Sequence, residues 1–514
     1  MFKNFAKIVV VIAIIWGSTA NAQQTANDLY DMGKSALYSG SYSSALSYFN
    51  EAIRQQPNYA DALNLRAYTN YLLNNKAQAL IDADNAVRIN PRMWEAYNTK
   101  GMILRETKNY SAAIESFNNA IANNPNYDYA YFNKGLTYEN MGDMAGAKLA
   151  FENSVMLQPN NAYAYNALGK IYLAEGNNDL ALGEFFKAIY YDPNNADAYY
   201  NRSRIYLYNQ EYDKEIGDLI KTVELNGSNY DYLMARGEAY LRIKDYGNAW
   251  NDFNAAKQLA PNNYLPFYKH GLVNNYFKNS DKAISDFSRV IELNPTYPEA
   301  YYERGVAYFD ALDYANARKD FAKARDLNGN LGEAYLGLGM VDAQAGNNTD
   351  AMTNYNRAIE LNSGLQAAYV NRANLYFGMK EYESSLNDYT SALNMDPKNA
   401  ALFVQRGLVF NDMGKPDLAI EDYNRALEII PDFAYAFNNR GMAYKSMSEY
   451  KKAINDFTTA VSYDPNYAFA FQNRGYTYLE MGRREDALSD FNEAIRINPD
   501  YRNSLQPVID NIYN

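Results

Sequence analysis

The segment from residue 434 to residue 467 contains two short runs in which apolar and small residues recur every three or four positions. That spacing places side chains on one face of an α-helix. The first run consists of Phe437, Gly441 and Tyr444, and the second of Ala453, Phe457 and Ala460. Ser448 and Glu449 separate the runs, and Pro465 follows the second, as a proline often does beyond a helix end. The segment predicts two amphipathic helices joined by a tight turn.

The same pattern recurs with a period of 34 residues. Its register is marked by prolines at multiples of that period: Pro57, Pro91, Pro125, Pro159, Pro193, Pro261, Pro295, Pro397, Pro431, Pro465 and Pro499. Fourteen repeats follow one another without insertion, from 26–59 to 468–501. A chain of 514 residues is too long for one hydrophobic core, which stops growing near about 250–300 residues. A repeat array avoids that limit because each repeat buries its apolar face on its neighbour.

Short segments flank the repeats. Residues 23–25 form a brief N-terminal lead, and residues 502–514 follow the last repeat. Apolar residues recur at helical spacing in the second segment: Leu505, Val508, Ile509 and Ile512. We expect this segment to be a capping helix, because the last repeat of an array otherwise exposes its core.

Within each repeat, five framework positions carry a characteristic residue type. Position four is aromatic or Leu, position eight is Gly in eleven repeats, position twenty is Ala in twelve, position twenty-four is Phe or Tyr in twelve, and position thirty-two is usually Pro. This pattern resembles the tetratricopeptide repeat (TPR) family over residues 26–501. The resemblance implies an all-α solenoid of stacked antiparallel helix pairs, wound as a right-handed superhelix, with the first helix of each pair lining a concave groove.

Positions seven and twenty-three vary together. Wherever position seven is Arg, position twenty-three of the same repeat is Asp, which gives Arg66–Asp82, Arg202–Asp218, Arg236–Asp252, Arg304–Asp320, Arg372–Asp388, Arg406–Asp422, Arg440–Asp456 and Arg474–Asp490. The single histidine, His270, occupies position seven opposite Asp286. We interpret this as a repeated structural ion pair between antiparallel helices. A ladder of arginines for an anionic ligand would not need a neutralising aspartate in every repeat.

The resemblance implies that positions two, five, nine, twelve and thirteen of the first helices face the groove. Aromatic residues occupy many of these positions: Tyr30, Tyr38, Tyr68, Tyr71, Phe132, Tyr200, Tyr208, Tyr268, Tyr276, Tyr302, Phe309, Phe377 and Tyr476. We predict that they form the binding surface for a protein or extended peptide, since Tyr and Phe offer large, rigid contact area. The alternative for part of this set is packing against a neighbouring helix.

Two polar features accompany the predicted groove. Asparagines at position six, among them Asn371, Asn439 and Asn473, are candidates to hydrogen-bond the backbone of an extended ligand. Position two is acidic in six of the first ten repeats, as at Asp61 and Glu95. This acidic stripe suits basic peptides, but acids in a first helical turn also stabilise the helix dipole, and we favour that explanation.

The composition argues against an enzyme, a metal site, a cofactor site and a nucleic-acid partner. The chain has one His, no Cys and a net charge of −12, so it lacks both a His-based ligand set and a basic footprint. Gly33, Lys34 and Ser35 resemble the end of a phosphate-binding loop, yet Asp28 stands where its first Gly belongs.

The first 22 residues predict a signal peptide. Lys3 and Lys7 precede an apolar run over residues 8–16, and Ala20 and Ala22 form a small-residue cleavage site before Gln23. We therefore expect an exported protein, most simply periplasmic, with a secreted or surface-associated location as the alternative and no membrane insertion after cleavage. The predicted function is an interaction scaffold. The alternatives are a holdase-type chaperone for exported clients and, less favoured, a glycan-binding protein.

Overall fold

The computed structural model describes residues 24–513, so the predicted signal peptide lies outside the described residues. The described chain contains 29 α-helices and a short 3₁₀-helix, and no strand occurs in it. Helices follow one another in pairs of 13 or 14 residues, one pair for each repeat. The predicted fold class, an α-solenoid of stacked antiparallel helix pairs, is confirmed.

The chain is divided into two compact units between Asn248 and Ala249, within helix α14. The first compact unit contains α1 (Ala26–Tyr38), α2 (Tyr42–Gln55), α3 (Ala60–Leu72), α4 (Lys76–Ile89), α5 (Trp94–Glu106), α6 (Tyr110–Asn123), α7 (Asp128–Met141), α8 (Met144–Leu157), α9 (Ala162–Ala174), α10 (Asn178–Tyr191), α11 (Ala196–Tyr208), α12 (Tyr212–Leu225) and α13 (Tyr230–Arg242). Helix α14 (Tyr246–Leu259) spans the division.

The second compact unit contains α15 (Tyr264–Tyr276), α16 (Ser280–Leu293), α17 (Pro298–Asp310), α18 (Tyr314–Leu327), α19 (Gly332–Gln344), α20 (Asn348–Leu361), α21 (Gln366–Gly378), α22 (Tyr382–Met395), α23 (Ala400–Asp412), α24 (Pro416–Ile429), α25 (Ala434–Ser446), α26 (Tyr450–Tyr463), α27 (Ala468–Glu480), α28 (Arg484–Ile497) and α29 (Arg502–Tyr513). The 3₁₀-helix Pro499–Tyr501 leads into α29.

The turn inside each repeat reverses the chain through a left-handed residue at position fifteen. At Gly142 (φ 79°), the backbone N–H donates to the Glu139 carbonyl at 3.0 Å, and the next N–H, of Asp143, donates to the Tyr138 carbonyl at 2.9 Å. These bonds satisfy carbonyls that the helix end leaves free. The conformation recurs at position fifteen of all fourteen repeats, in six of them at glycine and in eight at another residue.

In most repeats the turn that follows the second helix is held by an Asn or Asp side chain. Asp464 Oδ1 accepts a hydrogen bond from the Asn466 backbone N–H at 3.0 Å, across Pro465. Proline fits between them because it needs no hydrogen-bond partner for its nitrogen and cannot continue the preceding helix. The next repeat then begins its first helix at Ala468.

Each repeat has its own core, which the next repeat completes. In repeat 13 the buried ring of Phe457 packs on Gly441, where an added Cβ would lie 2.7 Å from the ring. In repeat 12 the cluster around buried Tyr423 includes Ala436 and Ala443 of the following repeat. The order of small and aromatic positions therefore sets both the pairing of helices and the stacking of repeats.

Helix α29 closes the C-terminal end of the array. Leu505 and Ile509 are buried against Phe491 and Ile495 of the last repeat, in the place that the next repeat takes elsewhere. Val508 and Ile512 pack beside them and are partly buried. The helix thus covers apolar surface that has no further repeat to bury it.

Candidate functional site

A cavity of about 750 Å³ lies in the first compact unit. Positions two, five, six and nine of successive first helices contribute most of its wall, together with the turns between repeats. The lining residues are Tyr38, Asn64, Leu65, Tyr68, Glu95, Asn98, Thr99, Met102, Tyr127, Asp128, Tyr129, Phe132, Asn133, Gln158, Asn160, Asn161, Ala162, Tyr163, Tyr191 and Asp192. These positions meet because a period of 34 residues places equivalent side chains side by side on neighbouring helices.

Aromatic side chains form the apolar part of the wall. Tyr127 packs against Trp94 at a centroid distance of 4.3 Å and against Tyr129 at 5.7 Å. Tyr129 and Tyr163 remain 59% and 62% exposed. Phe132 packs on the buried Phe151 at 5.7 Å. Phe132 is therefore anchored by the core, while Tyr127 and Tyr129 are held by neighbouring rings and Tyr129 and Tyr163 present open surface to the cavity.

Amide side chains supply the neutral polar part. Asn133 Nδ2 donates to Asn98 Oδ1 at 3.1 Å, and Arg105 Nη1 donates to Asn133 Oδ1 at 3.1 Å, so this pair is saturated within the protein. Asn64 differs, because its Oδ1 has no hydrogen-bond partner among the described residues although the residue is only 5% exposed. An unpaired buried acceptor costs about 1–3 kcal/mol. The wall therefore offers one unused acceptor.

Three carboxylates give the cavity its charge. Glu95, Asp128 and Asp192 line it, and no Lys, Arg or His is among the described residues of the lining. None of the three forms an ion pair within the described part of the chain. Burial raises the pKa of Glu95 and of Asp128 above their ordinary values. The site is aromatic and acidic, without an internal counter-charge.

Models of one repeat family match most of the chain. Those described as tetratricopeptide repeat match residues 30–93, 128–161, 162–195, 184–217, 307–366, 366–399, 434–467 and 468–501, and one described as TPR repeat matches 101–142, 278–311 and 407–448. The chain belongs to the tetratricopeptide repeat family. A TPR array is an interaction scaffold, typical of proteins that bind other proteins through an extended surface.

Solved structures that match the chain include three of different coverage. The APC/C hetero-tetramer Cut9-Hcn1 is 16% identical over 95% of this chain and 96% of its own, with a TM-score of 0.44. Yeast Tom70 is 15% identical over 83% of this chain and 96% of its own, with a TM-score of 0.41. YrrB, described as a TPR protein with an unusual peptide-binding site, is 28% identical over 36% of this chain and 96% of its own, with a TM-score of 0.31. No curated protein matches the sequence.

The structure brings few of the predicted groove aromatics into the cavity of the TPR array. Tyr38, Tyr68 and Phe132 line it, and Tyr71 stacks on Tyr68 at 6.2 Å just outside. The others lie elsewhere along the first helices. They comprise the half-buried Tyr30, Tyr200, Tyr268, Tyr302, Phe309, Phe377 and Tyr476 and the exposed Tyr208 and Tyr276. At position five, rings such as Tyr268 and Tyr302 pack on Phe287 and Phe321 of their own repeats, at 5.9 and 5.7 Å.

Sequence reasoning overlooked Tyr129 and Tyr163. Both are at position two, which the family resemblance already places on the groove side, and both interrupt the acidic stripe. The substitution of an acid by a tyrosine in two consecutive repeats was the available signal. Tyr127 and Tyr191 carried no such signal, because they come from turn and second-helix positions that the cavity recruits only in three dimensions.

The amide groups of the predicted asparagines point to acceptors inside the protein. Asn371 Nδ2 donates to the Ala367 carbonyl and Asn439 Nδ2 to the Tyr435 carbonyl, each at 2.8 Å. Asn473 Nδ2 donates to Asn438 Oδ1 of the preceding repeat at 2.9 Å. Their N–H donors therefore contribute to helix and inter-repeat contacts.

The arginines of position seven reach the predicted aspartates. Seven pairs have two hydrogen bonds each, from Nε and Nη2 to the two carboxylate oxygens, at 2.7–2.9 Å: Arg66–Asp82, Arg202–Asp218, Arg304–Asp320, Arg372–Asp388, Arg406–Asp422, Arg440–Asp456 and Arg474–Asp490. In repeat 8, His270 Nδ1 lies 2.5 Å from Asp286 Oδ2, and Lys257 Nζ lies 2.5 Å from Asp286 Oδ1. Lysine supplies the positive charge where histidine replaces arginine.

The second compact unit contains a half-buried carboxyl group without an ion pair, that of Glu303. Asn275 Nδ2 donates to Glu303 Oε2 at 3.0 Å. Burial, with a smaller contribution from Glu333, raises the pKa of Glu303 to about 7, although the Asn275 hydrogen bond acts in the opposite direction.

Residues 24–513 hold neither a cluster of metal ligands nor a membrane-spanning helix. No group of three or more His, Cys, Asp or Glu side chains there is arranged to hold a metal ion. None of the helices in that range combines the length and apolar character needed to cross a membrane.

Proposed function

We propose that the protein is an exported interaction scaffold that binds an extended segment of a partner protein in the cavity of the first compact unit. The observation that carries this proposal is the set of aromatic rings that pack on one another and stay open to the cavity, exemplified by Tyr127 and Tyr129. Such rings bind with little loss of side-chain entropy, which is why aromatic residues dominate binding hot spots.

The extended form of the ligand follows from the repeat geometry. The wall presents equivalent positions of consecutive first helices as a row of similar subsites: position five at Asn64, Asn98 and Phe132, and position two at Glu95, Tyr129 and Tyr163. A peptide lying along that row repeats its contacts from one helix to the next, whereas a compact ligand would use only part of the row. The volume of about 750 Å³ lies within the range of about 300–1,000 Å³ that is typical of ligand-binding pockets.

A photo-crosslinking amino acid at Tyr163 in cells tests this proposal. We expect crosslinks to one contiguous segment of one or a few partners, and the corresponding synthetic peptide should bind the purified protein. Tyr129→Ala should lower the affinity for that peptide by about tenfold, since truncating a hot-spot aromatic costs more than about 1 kcal/mol of binding free energy. The same crosslinker at Leu149, exposed on α8 outside the cavity, is the control.

Three other results would redirect the proposal. Crosslinks from position 163 to many unrelated proteins would favour a holdase-type chaperone. Binding that disappears after glycosidase treatment of the partner would favour glycan recognition. Equal crosslinking from positions 163 and 149 would overturn a binding role for the cavity.

Export is part of the proposal and rests on the N-terminal sequence. The basic residues, apolar run and Ala20–Ala22 site support cleavage before Gln23 and release into the periplasm. Fractionation of a secretion-competent bacterial host should recover a periplasmic chain that begins at Gln23. Ile12→Arg, which interrupts the apolar run, should retain the uncleaved chain in the cytoplasm. Recovery of an uncleaved, cytoplasmic wild-type chain would contradict export.

A further inference from the structure

We propose that the cavity selects a cationic side chain of the bound segment, arginine in particular, between Glu95, Asp128 and the carbonyl oxygen of Asn64. This inference rests on the proposed peptide-binding function and specifies the chemistry of its ligand. It also assigns a specificity role to acidic residues that the helix dipole alone would explain elsewhere in the array.

No cation in the described chain pairs with Glu95 or Asp128. Elsewhere, buried aspartates such as Asp82 and Asp218 each have an arginine within hydrogen-bond distance. The neighbouring Arg105 is paired with another carboxylate, since its Nη2 lies 3.8 Å from Glu106 Oε1, while its Nη1 donates to Asn133 Oδ1. Asp61 adds a further negative charge that acts on Glu95. A ligand cation is the counter-charge that this part of the wall lacks.

Asn64 points to a hydrogen-bond donor independently of charge. Its Oδ1 is buried and has no partner in the described chain, and the residue lines the cavity. A guanidinium group carries five N–H donors and no acceptor, and an ammonium carries three donors. Either group satisfies the free oxygen and a carboxylate together, whereas a ligand carboxylate would leave the oxygen unpaired and repel Glu95.

The aromatic wall favours arginine over lysine. Tyr68, Tyr127 and Tyr129 lie among the acceptors, and a planar guanidinium stacks on such rings while its edge hydrogen-bonds to carboxylates. A lysine ammonium uses the same charges as a compact point and gains less from stacking. The combination of ring faces and acceptors therefore fits an arginine side chain best.

Fluorescence anisotropy with labelled peptides tests the inference on the full-length mature protein. The probes are a short peptide of alternating arginine and leucine, its lysine counterpart, and a citrulline counterpart that keeps the shape of arginine without its charge. We expect the arginine peptide to bind about 10- to 100-fold more tightly than the citrulline peptide, the range for a charge-assisted hydrogen bond. Lysine should be intermediate, and the difference should shrink above about 0.15 M salt.

Charge-neutral variants locate the effect. Glu95→Gln with Asp128→Asn should abolish the arginine–citrulline difference, whereas Glu115→Gln with Glu152→Gln, which remove the same charge from exposed positions on α6 and α8, should preserve it. Persistence of the difference in the cavity variant would assign it to the overall negative charge and overturn the inference.

A separate variant distinguishes failure of this inference from failure of the proposed function. If the arginine and citrulline peptides bind with equal affinity and Tyr129→Ala weakens the binding of both, the peptide site stands and the inference of cation selection is wrong. If Tyr129→Ala weakens neither peptide, or neither binds, both proposals fail. Circular dichroism of each variant checks that the helices are retained.

Discussion

Arg440 and Asp456 form a two-point ion pair that joins the two helices of repeat 13. Arg440 Nε and Nη2 each donate to one carboxylate oxygen of Asp456 at 2.8 Å, and Asp456 is only 2% exposed. The third guanidinium nitrogen, Nη1, donates to Asn424 Oδ1 of the preceding repeat at 2.6 Å. One side chain thus connects two helices of its own repeat and the neighbouring repeat.

Removal of Arg440 should be strongly destabilising because it leaves a buried carboxylate without its counter-charge. We expect Arg440→Ala to lower the free energy of unfolding by about 3–5 kcal/mol. Arg440→Ala combined with Asp456→Ala should cost less, since no charge then remains buried. Hydrogen exchange of the backbone amides in α25 and α26 measures the local effect, which suits a repeat array whose unfolding need not be all-or-none.

The exposed pair of Arg425 and Glu428 on α24 is the control. It lies at i,i+3 spacing with both side chains more than half exposed, so Arg425→Ala should cost only about 0–1 kcal/mol. A buried ion pair would be contradicted if Arg440→Ala and the double variant with Asp456→Ala lowered the free energy of unfolding by the same small amount.

The fold was predictable because the fourteen repeats act as replicates of one another. A single copy of Gly441, Ala453 and Phe457 would be weak support for a helix pair, but the same positions in register along the chain specify both pairing and stacking. The coupling of position seven to position twenty-three gave the register between the two helices. Helix α29 was predictable for a similar reason, since its Leu505 and Ile509 continue the apolar spacing after the last repeat.

The cavity was less predictable because its wall depends on contacts between repeats. Asn98 and Asn133 are 35 residues apart and hydrogen-bond only once the repeats stack. The position-five tyrosines were ambiguous in sequence, since one residue type serves packing and binding alike. Tyr302 packs on Phe321, and burial raises the pKa of its hydroxyl. Residue type alone does not reveal which ring remains open.

Two glycines of repeat 5 should respond oppositely to the same substitution. An added Cβ at Gly169 would lie 2.5 Å from the buried ring of Phe185, whereas at Gly183 it would meet no atom within 4 Å. Gly169→Ala should therefore destabilise the protein by about 1–3 kcal/mol through overpacking. Gly183→Ala should stabilise it by about 0.5–1 kcal/mol, because alanine is the better helix former. Urea denaturation measures the free energy of unfolding of the two variants.

The pair serves as its own control, since both glycines lie in helices of one repeat and gain the same methyl group. A similar change in stability for both variants would mean that the contact between Gly169 and Phe185 is not tight. Gly169→Ala combined with Phe185→Leu should recover part of the loss, because the smaller side chain leaves room for the methyl group.

Titration of Glu303 should make the second compact unit less stable as pH rises. Its pKa is about 7 in the folded chain against an ordinary 4.5, so between these values the folded state binds the proton that the unfolded state releases. The stabilisation is complete below pH 4.5 and is lost as pH rises through about 7. The full effect is about 3.5 kcal/mol, from a shift of about 2.5 pKa units at about 1.4 kcal/mol per unit. Denaturant melts between about pH 4 and pH 8 measure it.

Glu303→Gln should remove this pH dependence, because glutamine keeps the shape and the bond to Asn275 without a titratable proton. Glu421→Gln, at an exposed site on α24, should retain the wild-type profile. Parallel profiles for wild type and Glu303→Gln would show that Glu303 does not titrate in this range.

Position fifteen offers a way to stabilise the array without altering any buried contact. Leu312 adopts φ 63° there and is 70% exposed, whereas Gly346 takes the equivalent place in the next repeat with φ 75°. A left-handed conformation costs an L-residue about 1–2 kcal/mol, and the greater flexibility of unfolded glycine offsets about half of that. Leu312→Gly should therefore stabilise the protein by about 0.5–1 kcal/mol, and Gly346→Leu should destabilise it by a similar amount. Thermal melts of the two variants show whether each substitution raises or lowers the stability. A destabilised Leu312→Gly would mean that a contact of the leucine side chain stabilises the protein by more than the backbone strain destabilises it.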